Sequence, residues 1–132
     1  MSAASDYTED KVLDHVLGQG ARNFTSPANL FVGLYTSSSG LEENSPTGEV
    51  SGGDYARKAV AFGAASGGST SNSATVTFDV ATANWGTVTH VAVLDASSSG
   101  NVLFYGAVTS SKTIETGDTF QIAQGNLTVS LD

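Results

Sequence analysis

The chain consists of short apolar segments separated by stretches rich in Gly, Ser and Asn. Val, Phe, Tyr and Thr are frequent in the apolar segments, and these β-branched and aromatic residues favour strands. The residues between the segments favour turns, so the pattern predicts a mainly β fold, an antiparallel β-sandwich of about seven short strands. The predicted strands cover residues 29–35, 55–61, 74–80, 87–95, 101–108, 119–123 and 126–131.

The N-terminal segment departs from this pattern because its apolar residues have helical spacing. Asp6 and Glu9 have the spacing of a capping box, and Gly18 supplies a stop. These signals predict a helix over residues 7–17. An amphipathic helix of this kind docks on another surface, which is either its own sheet or a neighbouring subunit. Its apolar residues fall on one side: Val12, Leu13, Val16 and Leu17.

The sequence therefore predicts two parts, an N-terminal helix and tether over residues 1–26 and a β-sandwich domain over residues 27–132. Within the domain, residues 36–54 lack apolar periodicity and predict a long surface loop. Residues 63–73 and 109–118 have turn composition, and we expect them to connect strands.

Two connections have the composition of hairpin turns. Residues 95–101 lie between two apolar strands, so we expect Asp95 to bond the turn backbone and Gly100 to adopt a positive φ. Residues 123–126 are expected to close a second hairpin. Consecutive strands would then pair antiparallel over the last third of the chain.

The charge balance excludes several classes of partner. The formal net charge is −8, from 5 Lys and Arg residues against 13 Asp and Glu residues. Because phosphate binding requires clustered basic residues, we expect neither nucleic acid nor an acidic membrane surface as a partner. The N-terminus lacks the basic start and apolar core of a secretion signal, and no run reaches the ~18 apolar residues of a membrane span, so we expect a soluble, unprocessed protein.

Groups suited to catalysis are few. The two histidines are His15 and His90, and cysteine is absent. We expect His15 to be solvated on the helix and His90 to be a half-buried or interface side chain of a strand, bonded to a neighbour. Residues 95–101 offer too few acids for calcium, and neither a G-x-S-x-G motif nor a phosphate-binding glycine loop occurs. We therefore predict no catalytic residues, no metal and no cofactor, and a protein that is not an enzyme.

The single tryptophan, Trp85, precedes Gly86 at the entry to a predicted strand. A large ring at this position can close the end of a sandwich while its N–H bonds a loop carbonyl. The strand that follows has apolar residues on both faces, so we expect Val91 and Val93 in the core. Trp85 and His90 are thus predicted to be structural.

Three stretches, residues 52–66, 71–108 and 117–132, resemble a known family. Their motifs are Tyr-Ala-Arg, Trp-Gly-Thr-Val-Thr-His and a C-terminal Gly-x-Leu-Thr-Val-x-Leu. Through them the chain, from about residue 30 onwards, is similar to small bacteriophage virion proteins described as tail-fibre-like or phage structural proteins. The resemblance implies a virion component without catalytic residues.

Two placements in a virion are open. An acidic domain would be repelled by packaged DNA, which favours the outside of the particle. Fibres tend to be long and modular, whereas this chain predicts one compact domain without a shaft repeat. We therefore expect a capsid decoration or cement protein, with a tail fibre or baseplate component as the alternative.

A carbohydrate-binding module is a second alternative. β-Sandwiches of this size bind sugars through rows of exposed aromatic side chains. Four residues are candidates for such a row: Tyr35, Tyr55, Trp85 and Tyr105.

The expected partners are further copies of the chain and other virion proteins, such as a major capsid or tail protein. A small domain held by one patch binds weakly, so an arm that reaches a neighbour would strengthen assembly. The predicted interface combines the apolar side of the helix with the long loop and its end: Val12, Leu13, Val16, Leu17, Leu41 and Tyr55.

Overall fold

A computed structural model describes residues 3–20 and 24–131 of the chain. These residues form one N-terminal helix, α1 (Asp6–Leu17), and nine short strands. The predicted mainly β fold with one N-terminal helix is confirmed. The strands are β1 (Ala3–Ala4), β2 (Leu30–Tyr35), β3 (Lys58–Val60), β4 (Ser69–Ser71), β5 (Val76–Thr77), β6 (Gly86–Leu94), β7 (Val102–Ile114), β8 (Gln121–Ile122) and β9 (Thr128–Ser130).

The strands form three antiparallel sheets. The largest has five strands in the order β1-β7-β6-β2-β3, so β1 and β3 are its edges. The other two have two strands each, β4 with β9 and β5 with β8. Along the described chain, no helix is long and apolar enough to cross a membrane.

The central strands β2 and β6 are covered on both faces because their apolar residues alternate between two clusters. Val32, Val91 and Val93 belong to the larger cluster, which also takes in residues from the two small sheets and their connections. Tyr35 and Leu94 belong to a second cluster on the opposite face. The predicted burial of Val91 and Val93 is confirmed, with 4% of each residue exposed.

The connection between β6 and β7 is the predicted hairpin. The Asp95 carboxylate accepts hydrogen bonds from the backbone N–H of Asn101 at 2.7 Å and from its side-chain amide at 2.9 Å. Gly100 has a φ of 74°, a conformation that favours glycine.

The second predicted hairpin, at residues 123–126, is wrong. β8 pairs with β5 and β9 pairs with β4, so the two strands lie in different sheets. The side chain of Asn72, which is buried, lies between the two segments that flank the turn and bonds to both. Its amide nitrogen donates to the carbonyl of Ala123 at 3.1 Å, and its amide oxygen accepts from the N–H of Leu127 at 2.9 Å.

Three predicted connections contain unexpected structure. Residues 109–114 extend β7: residues 112–114 pair with residues 86–88 at the start of β6, and Ile114 is buried. Residues 69–71 form β4 by pairing with β9. The loop over residues 36–54 is not confined to the surface, because Leu41 and Val50 are buried in it.

Candidate interaction surface

The helix α1 is fastened to β7 by the residue that caps it. The N-cap is Ser5 rather than the predicted Asp6, and its Oγ accepts the N–H of Thr8 at 3.4 Å. The Ser5 N–H donates to the carbonyl of Leu103 at 3.1 Å, and its Oγ donates to the carbonyl of Val102. One buried serine thus starts the helix and joins it to the sheet. The predicted stop at Gly18 is confirmed by a left-handed C-cap.

The apolar side of the helix faces largely away from the sheet. Leu13 is 55% exposed, Val16 71% and Leu17 67%, while Val12 is half-buried. Thr8 is the helix residue that is buried. The four predicted helix residues therefore lie together, at the surface, and their role as an interface stays a prediction.

A groove continues this apolar surface onto the C-terminal strand region. Val12 and Leu13 line an open groove of about 650 Å³ together with Leu131, which is 49% exposed, and Ala3 and Glu9. We call Val12, Leu13, Val16, Leu17 and Leu131 the helix patch. Leu131 was not among the predicted interface residues, because only the tertiary fold brings it beside the helix.

Carboxylates lie beside the helix patch. Carboxylate oxygens of Asp6, Glu9 and Glu42 all lie within 4.8 Å of one another. Desolvation, a hydrogen bond to Glu42 and the charges of neighbouring acids raise the pKa of Asp6 above its usual value. The hydroxyl of Tyr105 also donates to Glu42, and this bond, with partial burial, raises the pKa of Tyr105 to about 12. The patch therefore borders a region of concentrated negative charge.

The remaining two predicted interface residues lie elsewhere. Leu41 is fully buried in the cluster with Tyr35 and Leu94, so its side chain offers no surface to a partner in this structure. The loop turns inward at this point and covers one face of the five-stranded sheet. Tyr55 is half-buried, and its hydroxyl donates to Glu49 at 2.7 Å.

Tyr55 is part of a polar network that sequence analysis missed. Its hydroxyl also accepts the N–H of Leu34 at 3.0 Å, and Arg57 pairs with the same Glu49. Burial raises the pKa of Glu49, but the hydrogen bonds from Arg57 and Tyr55 and the charge of Arg57 outweigh it and lower the pKa below its usual value. The Tyr-Ala-Arg motif was visible in the sequence, but its partner Glu49 follows no local pattern.

The four aromatic residues considered for sugar stacking do not form an exposed row. Tyr35 is fully buried and Trp85 is 5% exposed. The ring of Tyr55 stacks on Phe78 at a centroid distance of 6.2 Å and meets Trp85 edge-on at 5.5 Å. The aromatic surface that the carbohydrate-binding alternative requires is therefore missing at these positions.

Trp85 and His90 have the structural roles predicted for them. The Trp85 Nε1–H donates to the carbonyl of Gly53 at 2.9 Å and so anchors the end of the long loop. His90 is half-buried, and its Nδ1 lies 2.9 Å from the hydroxyl of Thr89. His15 is exposed on the helix, also as predicted.

The family model of the podophage GP4 fiber I protein gp80 matches residues 3–130. The chain belongs to this family. A search of curated proteins finds no match to the chain. The gp80 family match begins before the helix, so it extends further than the resemblance recognised in the sequence from about residue 30.

Membership in the gp80 family makes the chain a structural component of a phage virion. A fibre structural family implies no enzymatic activity, which agrees with the prediction from the sequence. The family supports the fibre alternative better than the predicted capsid decoration or cement protein. A fibre can contain short, compact subunits, so the lack of a shaft repeat does not exclude one.

Proposed function

We propose that the chain is a subunit of a podophage fibre and that it joins other virion proteins at the outside of the particle. The match of a fibre protein family to residues 3–130 carries this proposal. The net charge of −8 supports an external position, because packaged DNA would repel the protein.

Within the subunit, residues 27–132 form the body and residues 1–26 provide the attachment. The partly buried Glu49–Arg57 pair and the Trp85–Gly53 hydrogen bond hold the long loop against the body. The helix carries three of the five large hydrophobic residues that are exposed among the described residues, Leu13, Val16 and Leu17. A fibre subunit of this design needs a rigid body and one adhesive face, and the helix patch is that face.

Labelling of the chain on intact particles tests the position. Antigen-binding fragments raised against the purified protein would be added to virions, and their positions would be recorded by electron microscopy. We expect label on fibres that project from the particle. Label distributed over the capsid shell would support a decoration protein and contradict the proposal.

A further inference from the structure

The large apolar side chains exposed at the surface are concentrated in one place. Among residues 3–20 and 24–131, five large hydrophobic residues are exposed, and four of them belong to the helix patch. Leu13, Val16 and Leu17 are neighbours on successive turns of α1, and Leu13 shares its groove with Leu131. The fifth, Val80, follows β5 in a separate part of the fold. A contiguous exposed apolar patch of this kind marks an interaction site.

The charges around the patch indicate what covers it. The first two turns of the helix carry three carboxylates, Asp6, Glu9 and Asp10, and one lysine, Lys11. Glu9 lies in the groove itself. Glu42 is close to the first turn, where its backbone carbonyl accepts the N–H of Asp6 at 2.9 Å. The apolar surface therefore has a negatively charged rim.

A two-fold symmetric contact with a second copy of the chain does not complement this rim. In a symmetric contact between two copies, the same patch meets itself, so the acids around one patch would lie against the acids around the other. Like charges placed face to face cost several kcal/mol across an interface. Lysine or arginine side chains on a partner would instead neutralise the rim.

From this charge pattern we infer that the helix patch binds a segment of a different virion protein, whose apolar side chains are flanked by Lys or Arg. The inference rests on the proposed function, because a fibre subunit must attach to another virion protein. The apolar side chains of the segment cover Leu13 and Leu131, and its basic side chains meet Glu9 and Glu42. The groove also borders β1, an edge strand of the large sheet, so a segment can enter it from that side.

Binding of the full chain to particles assembled without it tests this inference. Particles of the phage that encodes the chain, produced with its gene deleted, would be incubated with purified protein, and the bound amount would be measured at increasing salt. Leu13→Ser and Leu131→Ser should each weaken binding by about tenfold or more. Val80→Ser is the matched control, since it removes an equally exposed apolar side chain outside the patch, and it should bind like the wild type.

Salt and the rim acids provide a second readout. Wild-type binding should weaken as salt rises, because the charges at the rim are screened. Glu9→Gln should bind more weakly at low salt and show a shallower salt dependence. Binding that is unchanged by Leu13→Ser and Leu131→Ser, or that does not respond to salt, would overturn the inference.

The oligomeric state tests the alternative that a second copy of the chain occupies the helix patch. In sedimentation experiments, the isolated wild-type chain should not associate through the helix patch. Leu13→Ser should therefore leave its oligomeric state unchanged. A dimer that Leu13→Ser converts to a monomer would place a second copy on the patch and contradict the inference. The fibre position is tested independently by labelling, so label on fibres together with unaffected Leu13→Ser binding would leave the proposed function standing while this inference fails.

Discussion

Arg57 donates hydrogen bonds from Nε and Nη2 to the two carboxylate oxygens of Glu49, at 2.7 and 2.8 Å. Its Nη1 donates to the carbonyls of Ala96 and Ser99 in the β6–β7 hairpin, both at 2.8 Å. The Arg57 side chain is 7% exposed. A single guanidinium therefore ties the long loop, the start of β3 and the hairpin turn together.

Arg57→Ala should lower the free energy of unfolding by about 3 kcal/mol, because it leaves the Glu49 carboxylate half-buried without its cation. Urea denaturation at neutral pH measures the effect. Lys58→Ala is the control: Lys58 pairs with Asp79 at 2.9 Å, but both side chains are more exposed, at 29% and 58%. It should cost less than about 1 kcal/mol. Equal losses of unfolding free energy for the two variants would show that Arg57 stabilises the fold no more than an exposed ion pair does.

The free energy of unfolding should fall in acid because the Glu49 carboxylate becomes protonated. Its pKa is lowered in the folded protein from an ordinary value of 4.5, so the unfolded chain takes up the proton first as pH falls. The stabilisation by this carboxylate is thus fully present above the ordinary pKa and is lost as pH falls through the lowered one. The difference in unfolding free energy between wild type and Glu49→Gln should be largest above about pH 5 and shrink below about pH 4. A difference that grows in acid would contradict the assigned direction.

Val93→Asp should unfold the protein, because it places an unpaired charge in the larger apolar cluster. Circular dichroism and thermal melting provide the measurement. Val80→Asp, at a residue that is 53% exposed, should melt cooperatively near the wild-type temperature. A soluble Val93→Asp protein with a wild-type melt would disprove the interior position of β6.

Removal of residues 1–19 tests the division of the chain into two parts. We expect a folded body, because the larger apolar cluster lies entirely outside this segment. The melting temperature should drop by about 5 °C or more, since the deletion removes β1 and uncovers the carbonyls of Val102 and Leu103 that Ser5 satisfies. A truncated chain that does not fold would show that the helix belongs to the core.

The long, regular strands could be predicted from the sequence. β2 and β6 contain consecutive apolar residues that fit strands covered on both faces, and both appear close to their predicted bounds. β4 could not be predicted, because Ser-Thr-Ser has turn composition and becomes a strand only by pairing with β9. The last residues of β7 were missed for the same reason: residues 109–114 have loop composition, and residues 112–114 pair with β6 only once the fold brings the two strands together.

The candidate site could be predicted in part. Helical spacing alone identified the four apolar residues of α1, and the structure places them together at the surface. Leu131 and the acids around the groove come from distant parts of the chain, so no local pattern connects them to the helix. Leu41 lies in a stretch rich in Ser, Gly and Glu, whose composition predicts a loop at the surface. Its burial depends on the turn that brings the loop back to the sheet.

The number of copies per particle tests the assignment to a fibre most directly. Quantitative mass spectrometry of purified virions, and of heads separated from their tails and fibres, would measure the chain against the major capsid protein. A fibre subunit should be present in far fewer copies than the major capsid protein and should be lost from the isolated heads. A number of copies comparable to that of the capsid protein, retained on heads without tails and fibres, would contradict the assignment.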